Sequence, residues 1–155
     1  IFACGCFWGV QHQMERAQGV VSSTVGYTGG KEQHPTYQEV KAHSTGHAEA
    51  VLVEYDAEQT TYKELCKLFF EIHDPAQTDG QGPDIGPQYR SEIFYLNEAQ
   101  KAEAEAIIQL LREKGYEVNT RLTPASEFWP AEDYHQHYYD KTGGEPYCHI
   151  RVKKF

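Results

Sequence analysis

The sequence predicts an α+β fold, a single domain in which helices pack on a mixed β-sheet in two layers, with long irregular loops. Three observations carry this expectation. Strand-like segments at 20–27, 48–55 and 92–96 are interleaved with amphipathic segments at 7–16, 62–73 and 98–114, without the regular alternation of a parallel βαβ sheet. Two Gly- and Pro-containing stretches, 28–45 and 76–90, are too long for simple connections and read as functional loops. The chain has 155 residues, of which 39% are hydrophobic and 13% aromatic, enough for one domain with a real core.

Residues 1–4 are short and apolar and end before Gly5, as a strand end does. A helix follows over 7–16, with Val10 and Met14 on one side, and Gly19 closes it. The β-branched run 20–27 is a strand. Residues 28–45 read as one loop. In 48–55, Ala48, Ala50, Leu52 and Glu54 alternate with Glu49, Val51, Val53 and Tyr55. Thr60 is the expected cap of a helix over 62–73, where Leu65, Phe69 and Ile72 recur at helical spacing. Asp74-Pro75 stops it, and 76–90 forms the second loop. A strand at 92–96, a helix at 98–114 ended by Gly115 and a strand at 117–122 complete the regular part. Beyond Pro124 the chain is aromatic and irregular, with a short helix expected near 131–139.

A formal net charge of −9 gives no electrostatic footprint for nucleic acid or an anionic membrane. No run reaches the apolar length of a membrane span, and no signal-peptide pattern opens the chain. The chain is expected to be trimmed, or one module of a longer polypeptide, because the cysteine motif follows Ile1 almost at once. Four cysteines are too few for a disulfide scaffold. A reducing compartment of cytoplasmic type is therefore expected, and each thiol must be judged separately.

Cys6 lies where a strand gives way to a glycine turn and then a helix. Unpaired N–H groups and the positive dipole end favour a thiolate there. On placement alone Cys6 reads equally as a nucleophile or as a packed thiol. Cys4, two residues earlier on the strand, shares the face of Cys6 and reads as packing. Cys66 falls beside Leu65, Phe69 and Phe70 and reads as core. Cys148 follows Gly143 and Gly144 near the end of the chain, and reads equally as a resolving thiol or as an incidental one.

Several segments together resemble one family. Gly5-Cys6-Phe7-Trp8-Gly9 is similar to the active-site signature of peptide methionine sulfoxide reductase A. The resemblance continues through Gly26-Tyr27-Thr28-Gly29-Gly30, Pro35-Thr36-Tyr37, Thr45-Gly46-His47-Ala48-Glu49 and Ile72-His73-Asp74-Pro75. It takes in Asp84-Ile85-Gly86-Pro87-Gln88-Tyr89-Arg90-Ser91 and Ala131-Glu132-Asp133-Tyr134-His135-Gln136, and so covers almost the whole chain. This sequence departs from the pattern at Cys4, at Pro87 and in Glu145-Pro146.

The resemblance implies a role for each matching position. Cys6 corresponds to the nucleophile, and Phe7 and Trp8 to the rings that hold the substrate methyl group. Glu49 corresponds to the acid that protonates the sulfoxide oxygen, Tyr37 and Tyr89 to the hydroxyls that share it, and Asp84 to an acidic residue near the pocket. Cys148 resembles the C-terminal resolving cysteine. The implied activity is reduction of methionine sulfoxide, in proteins or free, with the S-epimer selectivity of the family. Thioredoxin is the implied reductant, no metal or other cofactor is needed, and a monomer is expected.

The elementary chemistry agrees with this. A sulfoxide oxygen leaves poorly until protonated, so a thiolate needs an acid partner. Aromatic surroundings would keep Glu49 protonated at neutral pH. The competing reading is a zinc module built from Cys4-x-Cys6, His43-x3-His47, His135-x-His137 and Cys148-His149. None of these has the C-x2-C spacing of a zinc ribbon or knuckle.

Overall fold

The computed structural model describes residues 1–42, 45–144, 149 and 151–155. Its main sheet has six strands: β1 (Phe2–Cys4), β2 (Val20–Thr28), β3 (Ala48–Tyr55), β6 (Ser91–Tyr95), β7 (Arg121–Pro124) and β8 (Phe128–Pro130). Their spatial order is β7-β6-β1-β3-β2-β8. The β6–β7 pair is parallel and the others are antiparallel, so the sheet is mixed, as expected. A separate hairpin pairs β4 (Gly80–Gln81) with β5 (Asp84–Ile85).

One face of the sheet carries the core. Phe2, Cys4, Val25, Tyr27, Val51 and Ile93 meet side chains from α1 (Phe7–Glu15), α3 (Tyr62–Glu71) and α4 (Glu98–Glu113). Side chains alternate along a strand, so Glu49 shares the face of Val51 and points into this helical layer. The opposite face is shallower, with Ala3, Ala48, Ala50 and Phe94 packed by Ile1, Ala125 and Phe128. The small residues at 48 and 50 fit that thin covering.

Several expectations need correction. The 28–45 stretch is not a loop throughout, because α2 (Tyr37–Lys41) lies within it. Thr36 caps α2: its hydroxyl accepts the Glu39 N–H at 3.3 Å, and the Glu39 carboxylate accepts the Thr36 N–H at 3.0 Å. The cap of α3 is Thr61, not Thr60, since the Thr61 hydroxyl accepts the Glu64 N–H at 3.2 Å. The strand expected at 117–122 starts later, at Arg121. Val118 is buried in the core and the Asn119 N–H donates to the Pro75 carbonyl at 2.8 Å, so these backbone groups are spent outside the sheet. The 76–90 loop contains the β4–β5 hairpin and a 3-10 turn at Pro87–Tyr89. The helix expected near 131–139 is divided into a 3-10 turn at Asp133–His135 and α5 (Tyr138–Thr142).

Candidate active site

Cys6 is the N-cap residue of α1, directly after the end of β1. Gly5 makes the turn with φ +110, a conformation that other residues rarely adopt. The turn interrupts strand alternation, so Cys4 does not share its setting with Cys6: Cys4 is fully buried in the core, while Cys6 keeps 8% exposure. The Cys6 thiol does not cap the helix, and no acidic residue occupies the first turn of α1. The positive helix end therefore faces the sulfur, together with the carboxyl that accepts the Phe7 N–H. Cys66 is core, as expected, and burial pushes its thiol up to about 12.

Glu49 reaches this helix start from β3. The Phe7 N–H donates to its Oε1 at 3.2 Å, and the residue is only 2% exposed. Burial raises its carboxyl pKa to about 8, with the Phe7 N–H opposing and the nearby Asp84 charge reinforcing the rise. At neutral pH Glu49 is thus mostly a proton donor.

Tyr37 begins α2, and Tyr89 ends the 3-10 turn after β5. Burial and then the neighbouring Glu49 and Cys6 push Tyr37 up to about 12, and burial with Glu49, Tyr37 and Cys6 moves Tyr89 upward too. Both hydroxyls stay protonated. Asp84, half-buried on β5, is close enough to act electrostatically on Glu49, Tyr37 and Tyr89. Phe7 and Trp8 each stack with Tyr37 at 6.5 Å. Seven of the eight expected site residues are thus brought to one place, and Cys148 lies outside the described residues.

The segment Ala131-Glu132-Asp133-Tyr134-His135-Gln136, to whose members the sequence assigns no role, builds one wall of the site. Glu132 accepts from the Tyr27 hydroxyl at 2.9 Å and from the Tyr37 N–H at 3.1 Å, which fixes where α2 starts. Burial works to raise the pKa of Glu132, but these hydrogen bonds hold it below the usual value. The Trp8 indole N–H donates to His135 Nδ1 at 2.8 Å, and the Tyr138 ring stacks on Trp8 at 3.8 Å. His135 also packs on Tyr37, at 4.3 Å between ring centres. Polar residues within an aromatic-rich run were the available signal.

The pairs proposed for zinc do not converge among the described residues. Cys4 is buried in the core. His47 holds the loop after β2, with Nδ1 accepting the Gly30 N–H at 3.0 Å and Nε2 2.7 Å from the Glu32 carbonyl. His135 is held by Trp8, and His149 Nδ1 lies 3.0 Å from the Ile72 carbonyl oxygen. His43 and Cys148 lie outside the described residues. His73, another motif histidine, is structural. It bridges the Phe69 carbonyl and the Ser91 hydroxyl, and burial lowers its pKa to about 3.

The family model for peptide methionine sulfoxide reductase matches residues 1–155. The chain is 47% identical over 152 residues to peptide methionine sulfoxide reductase MsrA of Acinetobacter baumannii, covering 98% of this chain and 88% of that one. Among solved structures, Mxr1 of Saccharomyces cerevisiae in reduced form superposes with a TM-score of 0.89 at 35% identity, over 97% of this chain and 89% of that one. Mxr1 in complex with Trx2 superposes with a TM-score of 0.63 at 27% identity, over 97% and 87% of the two chains. Whole-length similarity in both sequence and fold leads to one conclusion: the chain belongs to the peptide methionine sulfoxide reductase family.

Proposed function

We propose that residues 1–155 form one catalytic domain that reduces peptide methionine (S)-sulfoxide, with Cys6 as nucleophile and Glu49 as acid. The Cys6 thiolate attacks the sulfoxide sulfur while Glu49 delivers a proton to the oxygen. The attack forms a sulfur–sulfur bond; the oxygen then transfers from the methionine sulfur to the Cys6 sulfur as that bond breaks, releasing methionine with a reduced sulfur and leaving Cys6 as a sulfenic acid. Tyr37 and Tyr89 donate hydrogen bonds to the same oxygen as charge develops on it. Phe7 and Trp8 enclose the methyl group, and Asp84 supports the protonated state of Glu49.

Cys148 then condenses with the sulfenic acid, releasing water and forming a Cys6–Cys148 disulfide. A thioredoxin-type dithiol reopens it by exchange, as the Mxr1 complex with Trx2 supports by analogy. No cofactor enters this scheme. Among the described residues no helix is long and apolar enough to cross a membrane, and a reducing, cytoplasmic setting suits the thiol chemistry.

The observation that carries the proposal is the meeting of Cys6 at a helix start with a buried carboxyl whose pKa is about 8. The test is methionine formation by Cys6→Ser with a sulfoxide peptide. Activity should vanish. Turnover near the parent level would refute the assignment.

A further inference from the structure

The chain just after Cys148 is fastened at two points. The first is His149, which is fully buried. Its ring lies on the backbone flanking Cys6: a Cβ added at Gly9 would stand 2.4 Å from its Cδ2, and one at Gly5 would stand 3.2 Å from its Cε1. Gly9 is therefore a site of close approach by His149, and at Gly5 the ring shares the approach with the Gln81 side chain. The ring Nδ1–H donates to the Ile72 carbonyl at 3.0 Å, and the His149 carbonyl accepts from Gln13 Nε2 at 2.6 Å. His149 thereby joins the end of α3 to α1.

The second point is Glu71, which is 4% exposed at the last position of α3. Its Oε1 accepts from Arg151 Nε at 3.0 Å and Nη2 at 2.8 Å, and its Oε2 accepts the Lys154 N–H at 3.0 Å. The Glu71 carbonyl accepts the Val152 N–H at 2.8 Å. Lys154 Nζ donates to the Phe70 and His73 carbonyls at 2.6 and 3.0 Å, placing a cation at the negative end of the helix. A carboxylate this buried is strongly disfavoured without such donors, which makes the clasp specific rather than incidental.

We infer that His149 and Glu71 are positioning residues for the recycling half of the reaction. They hold the downstream side of Cys148 against the turn that carries Cys6, so the resolving thiol attacks at a high effective concentration. The inference rests on the proposed role of Cys148. The step it concerns is Cys6–S–OH plus Cys148–S–H giving the Cys6–S–S–Cys148 bond and water.

The two half-reactions can be timed separately in the full chain. Without reductant, methionine released in one turnover reports the attack on sulfoxide, and loss of the second free thiol, beyond the Cys6 thiol oxidised in that turnover, reports disulfide formation. Glu71→Gln and Arg151→Met should release one equivalent of methionine at the parent rate. Their disulfide formation should slow about tenfold, with a sulfenic acid that a 1,3-dione probe traps. His149→Ala should slow the same step, and His149→Gln, which keeps a donor for the Ile72 carbonyl, should recover part of the loss. Arg151 is largely exposed but pairs with the buried Glu71 carboxylate, so the Tm of its variant is measured beside the two rates. The inference is overturned if Arg151→Met and Glu71→Gln form the disulfide at the parent rate. It is equally overturned if both half-reactions slow in proportion to a fall in Tm. A Cys148→Ser control separates the two levels: if it still loses a second thiol, the reading of Cys148 itself fails.

Discussion

Glu49 is held as a buried, protonated acid, and through it rising pH lowers both activity and stability. As pH rises through about 8 the proton is lost, so the rate of the chemical step should fall across that value; a rate that holds level from pH 7 to 10 would contradict the acid role. For stability the sign runs the other way from a salt-bridged carboxylate. The folded pKa is raised above the ordinary 4.5, so the folded chain keeps a proton that the unfolded chain releases. The cost of burying Glu49 is absent below the unfolded value, grows between 4.5 and about 8, and is complete above it. Glu49→Gln keeps an acceptor for the Phe7 N–H but cannot ionise. It should slow reduction with little change in substrate binding, and melting curves should show it gaining stability over the parent as pH rises from 5 to 8. Equal Tm differences at both pH values would remove the electrostatic account.

At the scale of elements, α2 is the instructive case. Its five residues cannot sustain a helix by propensity, so the Thr36–Glu39 box and the Glu132 carboxylate at its start determine where Tyr37 sits. Thr36→Ala should cost ~1 kcal/mol locally. Sulfoxide kcat/KM should fall roughly fivefold on that scale, with a smaller effect on Tm; an unchanged kcat/KM would show that Tyr37 is placed by other contacts. The Thr-x-x-Glu spacing was legible in the sequence but lay among Gly and Pro residues that read as loop. By contrast, β2, β3 and the long helix α4 were legible because their patterning extends over 8 or more residues. The start of β7 was not, because a partner from a distant loop decides it, and the cap of α3 was missed by one residue because Thr60 and Thr61 stand side by side as equivalent candidates.

Across the whole molecule, the site depends on packing between α3 and the sheet. Phe69 is fully buried and touches Phe2, Phe70 and His73. Phe69→Ala should reduce stability by about 3–5 kcal/mol, measured by denaturant unfolding. A loss below about 1 kcal/mol would place the main core elsewhere. The residues proposed to do the chemistry were legible through short motifs, since Cys6, Glu49, Tyr37 and Tyr89 each sit in a distinctive run. The supports were not: Glu132, His135 and the Glu71 clasp make hydrogen bonds across 80 to 127 residues of chain, and one sequence read locally gives no register for such contacts. The strand β1 lies in the middle of the main sheet, bonded to β3 on one side and β6 on the other, and ends one residue before the Gly5 turn. Its amides should exchange with deuterium only through global opening, whereas those of the edge strands β7 and β8 should exchange through local fraying. Cys6 is thus attached to the strand expected to exchange slowest, and partial melting at the sheet edges should leave its reactivity intact.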